Sequence, residues 1–290
     1  MQTHAQGEAP LRLTLLPPSP EQPGQNAAPL LVAAPVRAHE RISDEYLRLV
    51  LDAPEMARRA RPGQFAMLTV ARADEISPVL PRPMALYDWD AEAGTVEFVY
   101  KLVGDGTRRL ATWQPGELMT VVGPLGRGFS VPSSGDLLLL GRGIGICSVT
   151  SLALAAARAG ATVHAVSSGR TPAALVGADL YRRAGAATLI EVTDSDGSSA
   201  ADALRERLAP LFAERRIGRV AVCGSNRLLR LAMELGAPQG ASVEVSLEAH
   251  MACGLGYCHG CSTGHPGLAS ESPLVCKDGP VFACIRGGAA

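Results

Sequence analysis

Four cysteines near the carboxyl terminus constrain this chain more than any other feature. Cys253, Cys258 and Cys261 stand in a C-x4-C-x2-C arrangement, and Cys276 follows after a gap of 14 residues. A tight triplet with one distant thiolate is typical of the ligands of a plant-type [2Fe–2S] cluster. From about Ser246 onward the hydrophobic periodicity is weak, so a loop-rich cluster domain is predicted over residues 246–290.

The glycines between the cysteines are also compatible with cluster binding. Gly254, Gly256 and Gly260 permit positive φ angles and close approach of the backbone to the cluster sulfides. Structural zinc is the main alternative, for which two C-x2-C pairs or a Cys/His pair set are expected. Only one C-x2-C pair is present, although His259 and His265 leave a mixed-ligand zinc site open. A disulfide framework is disfavoured because nothing in the chain points to export.

Composition narrows the class of protein. The 290 residues predict about two domains, and 47% hydrophobic residues supply ample core. Lys and Arg number 27 against 28 Asp and Glu, so a charge of −1 predicts neither a nucleic-acid nor a membrane partner. No apolar run approaches the ~20 residues that span a bilayer, and no secretory signal is recognised. Seven cysteines in such a chain favour metal or redox chemistry in the cytoplasm.

The chain divides into four stretches. Residues 1–28 are rich in Pro, Gln and Ala and are predicted to form a disordered extension. Residues 29–132 carry short β-like runs separated by Pro-Gly and Gly-Pro turns, which predicts a small antiparallel barrel. Residues 133–245 alternate apolar runs with helical stretches, which predicts a parallel α/β domain. Residues 246–290 form the cysteine-bearing end.

A glycine turn in the α/β stretch is the second chemical signal. Gly141, Gly143 and Gly145 alternate between the apolar run 137–140 and a helical stretch over 148–159. Free N–H groups and the helix dipole at such a turn favour a pyrophosphate. The pattern is not the full G-x-G-x-x-G, and similar turns also serve packing alone, so both interpretations stay open.

The barrel stretch holds a third signal. An arginine in a partly buried groove can fork onto a diphosphate, and a Gly-Thr turn offers backbone and hydroxyl donors to the same group. An ordinary surface arginine and loop are equally compatible with these residues. The candidate binding residues are Arg82, Pro83, Met84, Ala85, Val99, Tyr100, Lys101, Gly106 and Thr107.

Several of these motifs together resemble a known family. The R-P-x strand at 82–84, the Gly-x-Gly-Thr turn, and G-P-L-G-R-G-F at 123–129 are similar to the ferredoxin–NADP reductase superfamily. Within it, the tail at 251–261 and 275–282 resembles the electron-transfer subunits of NAD-dependent dihydroorotate dehydrogenases. The resemblance extends from about residue 30 to residue 284.

The resemblance implies a set of cofactors and a partner. FAD is expected in the barrel on the nine residues given above, NAD(H) at Gly141, Gly143 and Gly145, and a [2Fe–2S] cluster on the four cysteines. The partner would be an FMN-containing catalytic subunit that oxidises dihydroorotate in pyrimidine biosynthesis, usually in a two-plus-two heterotetramer. Electrons would pass from FMN to the cluster, then to FAD and NAD+. No residue of this chain is predicted to act on dihydroorotate itself.

Departures from the family pattern keep other functions open. Ala85 stands where the family has Ser or Thr, Arg142 interrupts the usual Gly-Gly-Ile-Gly, and Ser225 replaces a Pro. A related FAD/[2Fe–2S] NAD(P)H reductase subunit serving a hydrogenase, a sulfide-oxidising system or an oxygenase is the alternative. A third hypothesis is a zinc-stabilised nucleotide-binding module. Cys284 is either a spare cluster ligand or a buried thiol.

Overall fold

The computed structural model of the protein describes residues 13–16, 28–264 and 271–286. Its strands are β1 (Leu13–Leu16), β2 (Leu30–Arg41), β3 (Tyr46–Asp52), β4 (Phe65–Leu68), β5 (Arg82–Ala85), β6 (Asp88–Asp90), β7 (Thr95–Lys101), β8 (Leu118–Leu125), β9 (Asp136–Arg142), β10 (Thr162–Gly169), β11 (Thr188–Thr193), β12 (Ile217–Cys223), β13 (Ser242–Ser246) and β14 (Val281–Arg286). Its helices are α1 (Pro54–Arg59), α2 (Asp105–Leu110), α3 (Ile146–Arg158), α4 (Ala178–Arg183), α5 (Ala201–Glu214) and α6 (Asn226–Gly236).

Strands β2 to β8 form an antiparallel sheet in the order β5-β4-β8-β2-β3-β7-β6. The twelve-residue strand β2 pairs with β8 and then with β3, and its register shifts between Val36 and Ala38. Such a shift bends a strand and lets the sheet curl, so that β5 and β7 come into contact. Leu49, Phe98 and Tyr100 fill the interior. The predicted antiparallel barrel is confirmed.

The second sheet has the order β1-β14-β13-β12-β9-β10-β11. The five strands from β13 to β11 in this order run parallel, and β14 and β1 add an antiparallel edge. Helices α3 and α4 pack on one face, and α5 and α6 pack on the other, because each presents an apolar stripe to the sheet. The predicted parallel α/β fold is confirmed.

Strand β1 lies inside the segment predicted to be a disordered extension, and for residues 13–16 that prediction is wrong. These residues pair with β14 at the sheet edge, and Leu15 is only 2% exposed within the core. Burial of this apolar side chain offsets the cost of ordering the strand. Residues 1–12 and 17–27 of the predicted extension lie outside the described residues.

Strand β14 ties the cysteine segment back to the α/β sheet. It pairs antiparallel with β13, so the segment predicted to be a loop-rich cluster domain ends as a strand of the neighbouring sheet. Between β13 and β14 the described residues form no regular strand or helix, as predicted. Among the described residues, none of the helices is long and apolar enough to cross a membrane.

Candidate functional site

A cleft of about 520 Å³ lies where the barrel, the α/β sheet and the cysteine segment meet. Strands β5 and β7 form one wall, the turn before α3 contributes a second, and residues 246–251 close a third. Eight of the nine residues predicted to bind FAD line it: Arg82, Pro83, Met84, Ala85, Val99, Tyr100, Lys101 and Thr107. A cleft bounded by two domains, with few polar groups among apolar ones, is a typical cofactor site.

Gly106, the ninth residue, does not line the cleft but contacts the side chain of Arg82, which does. The Arg82 guanidinium packs directly on Gly106 at the start of α2, and a Cβ at Gly106 would collide with it. Arg82 Nη1 donates to the carbonyl oxygen of Leu80 at 2.6 Å, and Arg82 forms no ion pair with any described residue. Its charge is therefore free to meet an anionic group in the cleft.

Thr107 lines the cleft, and its hydroxyl is engaged by the backbone of its own turn. Its hydroxyl accepts the backbone N–H groups of Val103 and Gly104 at 2.9 and 3.1 Å and donates to the Gly104 carbonyl oxygen at 3.0 Å. These bonds cap the start of α2. The hydroxyl is thus occupied by the helix rather than free to donate to a diphosphate.

Residues 246–251 bring an acid into the cleft that the sequence did not place there. Glu248 is exposed and lines the cleft, and its Oε1 lies 3.9 Å from the Cys223 thiol at the end of β12. Desolvation raises the pKa of Glu248. Burial likewise raises the pKa of Cys223 to about 12, and that of Cys147, at the start of α3, well above its usual value. The two thiols are therefore neutral packing groups beside the acid.

The glycine turn lies at the point where the strand order reverses. Strand β9 ends at Arg142, Gly143 to Gly145 form a single 3-10 turn with Gly143 at a φ of 54°, and α3 then begins. A Cβ at Gly145 would lie 2.6 Å from the Cα of Gly224, so the loops after β9 and β12 touch. Ligands of such sheets bind outside the carboxyl ends of the strands at this reversal. The helix starts two residues before the predicted Ser148, which places its N-terminus at the turn.

Arg142 reaches across the carboxyl end of β10. Its Nη1 donates to Ser168 Oγ at 2.9 Å, and its two Nη atoms hold the carboxylate of Asp194 at 3.1 and 2.5 Å. The hydrogen bond from Arg142 lowers the pKa of Asp194, and a second bond, from Ser199, acts in the same direction. Asp196, in the same loop, accepts the Ser198 backbone N–H at 2.9 Å and so caps the turn.

The four predicted cluster ligands lie as two neighbouring pairs. The thiol of Cys253 lies beside that of Cys258, and the thiol of Cys276 beside that of Cys261. The N–H of Cys276 donates to Cys261 Sγ and the N–H of Leu255 to Cys253 Sγ, both at 3.4 Å. Desolvation opposes ionisation of Cys253, but backbone hydrogen bonds outweigh it and lower its pKa to about 6. Two thiol pairs with N–H donors fit two irons with two thiolates each.

Positive φ angles shape the loop between the cysteines. Gly254 and Gly256 have φ angles of 68° and 88°, in line with the sequence. Gly260 does not adopt a positive φ but lies close to a cysteine, since a Cβ there would be 3.6 Å from Cys258 Sγ. His259 takes the left-handed conformation instead, at a φ of 56°, because the turn falls one residue earlier.

The cysteine loop is seated on the barrel. A Cβ at Gly254 would lie 2.6 Å from Met67 Cγ of β4. The buried thiols of Cys261 and Cys276 share one core with Phe65 and with other side chains of β4 and β8. Phe65 also lines the cleft. The cysteines therefore lie directly behind a wall of the cleft.

Other groups near the cysteines are not gathered as ligands. Among the described residues, no three His, Cys, Asp or Glu side chains are grouped around a single ion position. Cys284 is buried on β14 in the core of the α/β sheet, where desolvation raises its pKa to about 12. It therefore packs as a buried thiol.

A family model and solved structures match this arrangement. The iron–sulfur cluster binding domain of dihydroorotate dehydrogenase B matches residues 248–285, which favours the iron–sulfur interpretation over zinc. A chain of the NADH-dependent reduced ferredoxin–NADP oxidoreductase, studied for flavin-based electron bifurcation, is 26% identical with a TM-score of 0.72, over 87% of this chain and 88% of that one. A ferredoxin–NADP+ reductase from Neisseria gonorrhoeae, solved with FAD and NADP, has the same fold at 17% identity and a TM-score of 0.56, over 72% and 92% of the two chains.

Fold and cysteine segment together define a ferredoxin–NADP reductase-like oxidoreductase with an iron–sulfur domain. The dihydroorotate dehydrogenase B (NAD(+)) electron transfer subunit of Geobacillus thermodenitrificans is 33% identical over 248 residues, 83% of this chain and 92% of the relative. That of Bacillus caldolyticus is 31% identical over 250 residues, 85% and 94% of the two chains. This chain belongs to the family of dihydroorotate dehydrogenase B (NAD(+)) electron transfer subunits, and the resemblance seen in its motifs is confirmed.

Proposed function

We propose that this chain passes electrons from an FMN-containing, dihydroorotate-oxidising partner subunit to NAD+, in pyrimidine biosynthesis. The observation that carries this function is the seat of the cysteine loop on β4 and β8. Because Phe65 belongs both to that core and to the cleft, a one-electron centre on the cysteines would lie directly against a flavin in the cleft.

The described residues fit the three cofactors of this function. When bound, the cluster carries single electrons, and FAD exchanges them for the hydride of NAD(H). We propose that Cys253, Cys258, Cys261 and Cys276 hold the cluster and that the nine barrel residues, with Arg82 on the diphosphate, hold FAD. Gly141, Gly143 and Gly145 would let the dinucleotide approach the start of α3. The corresponding domains would be residues 29–132 for FAD, 133–245 for NAD and 246–290 for the cluster.

The partner and its stoichiometry are the finer part of the proposal. The relatives are named electron transfer subunits, which supports an FMN-containing catalytic subunit and a two-plus-two heterotetramer. Tyr257 is 85% exposed beside the exposed Cys258, so the outer side of the cysteine loop is accessible to such a partner. All seven cysteines are unpaired, which supports a cytoplasmic location.

Reconstitution with the candidate FMN subunit tests the function. The mixture should reduce NAD+ when dihydroorotate is added, and neither subunit should do so alone. A matched complex carrying Cys258→Ser should lose this activity while the partner still reduces an artificial acceptor with dihydroorotate. If the intact complex oxidises dihydroorotate with the artificial acceptor but never reduces NAD+, the proposed function is wrong.

A reductase subunit for another redox partner is the second candidate. The observation that favours it is the likeness to the NADH-dependent reduced ferredoxin–NADP oxidoreductase chain at a TM-score of 0.72. NADH-driven reduction of ferredoxin by the purified chain, faster than reduction of the FMN subunit, would select this candidate. The reverse order of rates would select the first.

A further inference from the structure

The ion pair between Arg142 and Asp194 lies on the far side of the glycine turn from the cleft. Strand β9 is central, with β12 and the cleft on one side and β10 and β11 on the other. A dinucleotide with its nicotinamide in the cleft and its pyrophosphate at the start of α3 must extend over the ends of β10 and β11. Its adenosine ribose then meets Arg142 and Asp194.

The charges at this position do not favour a bare ribose. An unpaired carboxylate there would accept hydrogen bonds from ribose hydroxyls and repel a phosphate. Asp194 is instead held by both Nη atoms of Arg142 and by the Ser199 hydroxyl. Arg227 Nη2 lies 3.9 Å from Asp194 Oδ1 and 3.5 Å from Ser199 Oγ. Two guanidinium groups thus face one carboxylate.

Arg227 has an unused donor at the same place. Its Nε is buried and has no hydrogen-bond acceptor among the described residues. The other nearby acid, Asp196, is turned to Ser198 in its own loop. Two guanidinium groups and two carboxylates therefore meet in this loop, and their charges balance, so a phosphate here is not repelled by a net negative charge.

We propose that Arg142 neutralises the adenosine-ribose subsite and so lets this chain accept a ribose with a 2′-phosphate as well as one with a free 2′-hydroxyl. The proposal rests on the nicotinamide-nucleotide site proposed above and names its specificity-determining residue.

Binding of ADP-ribose and of 2′-phospho-ADP-ribose to the purified, cofactor-loaded protein tests the proposal. Neither ligand carries a nicotinamide, so isothermal titration calorimetry reads binding without electron transfer. For the unaltered chain the two Kd values should agree within about threefold, because the subsite charge is neutralised. Arg142→Gly removes the bidentate partner of Asp194 and leaves only the more distant Arg227 and the Ser199 hydroxyl, so the loop gains negative charge and should weaken the phosphorylated ligand at least about tenfold relative to ADP-ribose. In the double variant Arg142→Gly with Asp194→Asn, the two Kd values should again agree within about threefold.

Arg205→Ala is the matched control. Arg205 holds Glu234 with two hydrogen bonds at 2.7 and 3.0 Å, on α5 and α6 of the same domain, and its loss should leave the ratio unchanged. The role of Arg142 is refuted if Arg142→Gly weakens both ligands equally or if the unaltered chain already prefers ADP-ribose by more than about tenfold. Failure of ADP-ribose itself to bind would instead refute the nucleotide site, and this role with it.

Discussion

At the scale of single residues, two cysteines close in sequence occupy unlike surroundings. Cys276 lies beside Cys261 in the core that joins the loop to the barrel. Cys284 lies on β14, opposite Val243 of β13 and Leu15 of β1, within the core of the α/β sheet. The proposed ligand Cys276 and the packing thiol of Cys284 therefore lie in two different cores.

Serine substitution distinguishes the two cysteines. Cys276→Ser should abolish the visible absorbance of the cluster and its iron content while FAD remains bound, because one iron loses a thiolate. Cys284→Ser should retain both cofactors and lower the unfolding free energy by about 1 kcal/mol, from a hydroxyl in an apolar site. Normal iron content in Cys276→Ser, with loss in Cys284→Ser, would reverse the ligand assignment.

Glu244 predicts a pH dependence of stability. It is 3% exposed and accepts from Ser130 Oγ at 2.7 Å, and desolvation raises its pKa in the folded state. The folded protein thus binds this proton more tightly than the unfolded chain does, so the contribution of Glu244 to stability is fully present below its ordinary pKa of 4.5 and is lost as the pH rises through its folded pKa. When the pH is raised from 5 to 8, the Tm of Glu244→Gln should fall by a few degrees less than the Tm of the unaltered chain. The exposed Glu206→Gln should match the unaltered chain, and an equal loss in Glu244→Gln would contradict the assignment.

At the scale of elements, local patterns predicted most strands and left non-local pairings undetected. The apolar run 137–140 lies in β9 (Asp136–Arg142), and most of the helical stretch 148–159 lies in α3 (Ile146–Arg158), because apolar spacing reports local burial. Strand β1 was not predicted from the sequence, because its partner β14 lies at the other end of the chain. Burial against a distant strand leaves no local signal.

The same distinction between local and non-local signals applies to the candidate site. The four cysteines follow from spacing, since ligands within one loop keep a fixed separation in sequence. Glu248 lines the cleft because residues 246–251, at and after the end of β13, lie against the barrel. The pair of Arg142 and Asp194 joins residues 52 positions apart. Such contacts depend on strand order, which no motif in either segment encodes.

The seat of the cysteine loop gives a prediction for Gly254. In Gly254→Ala the added methyl would meet Met67 Cγ at 2.6 Å, so the loop should lift from β4 and iron content should fall by at least about half. Gly264→Ala is the matched control, since Gly264 has the same φ of 68° but open space around it. Met67→Ala combined with Gly254→Ala should recover iron. Equal losses in both single variants would mean that backbone strain, not the seat, controls the loop.

At the scale of the whole molecule, the barrel and the α/β domain are joined by a polar seam beside the cleft. Arg183 Nη1 of α4 donates to Asp88 Oδ2 of β6 at 3.0 Å, and the Tyr87 hydroxyl donates to Asp179 Oδ1 at 3.2 Å. Desolvation raises the pKa of Asp88, and Arg183 opposes that shift. Because the cleft takes walls from both domains, we expect contacts that hold the two domains together to influence it.

Loss of Arg183 should loosen both the seam and the flavin. Arg183→Ala leaves the Asp88 carboxylate, 12% exposed, without its partner. The guanidinium is 57% exposed, so solvent reduces the expected cost to about 1 kcal/mol, or about 2–4 °C in Tm. Far-UV circular dichroism should report this shift, and flavin fluorescence should rise at a correspondingly lower temperature as FAD leaves the cleft.

Arg182→Ala, one residue earlier, removes a surface pair with Glu191 at 3.6 Å and should change neither signal. Asp88→Asn combined with Arg183→Ala should recover most of the loss, because no buried charge is then left unpaired. If Arg182→Ala and Arg183→Ala behave alike, the seam does not hold the two domains around the cleft.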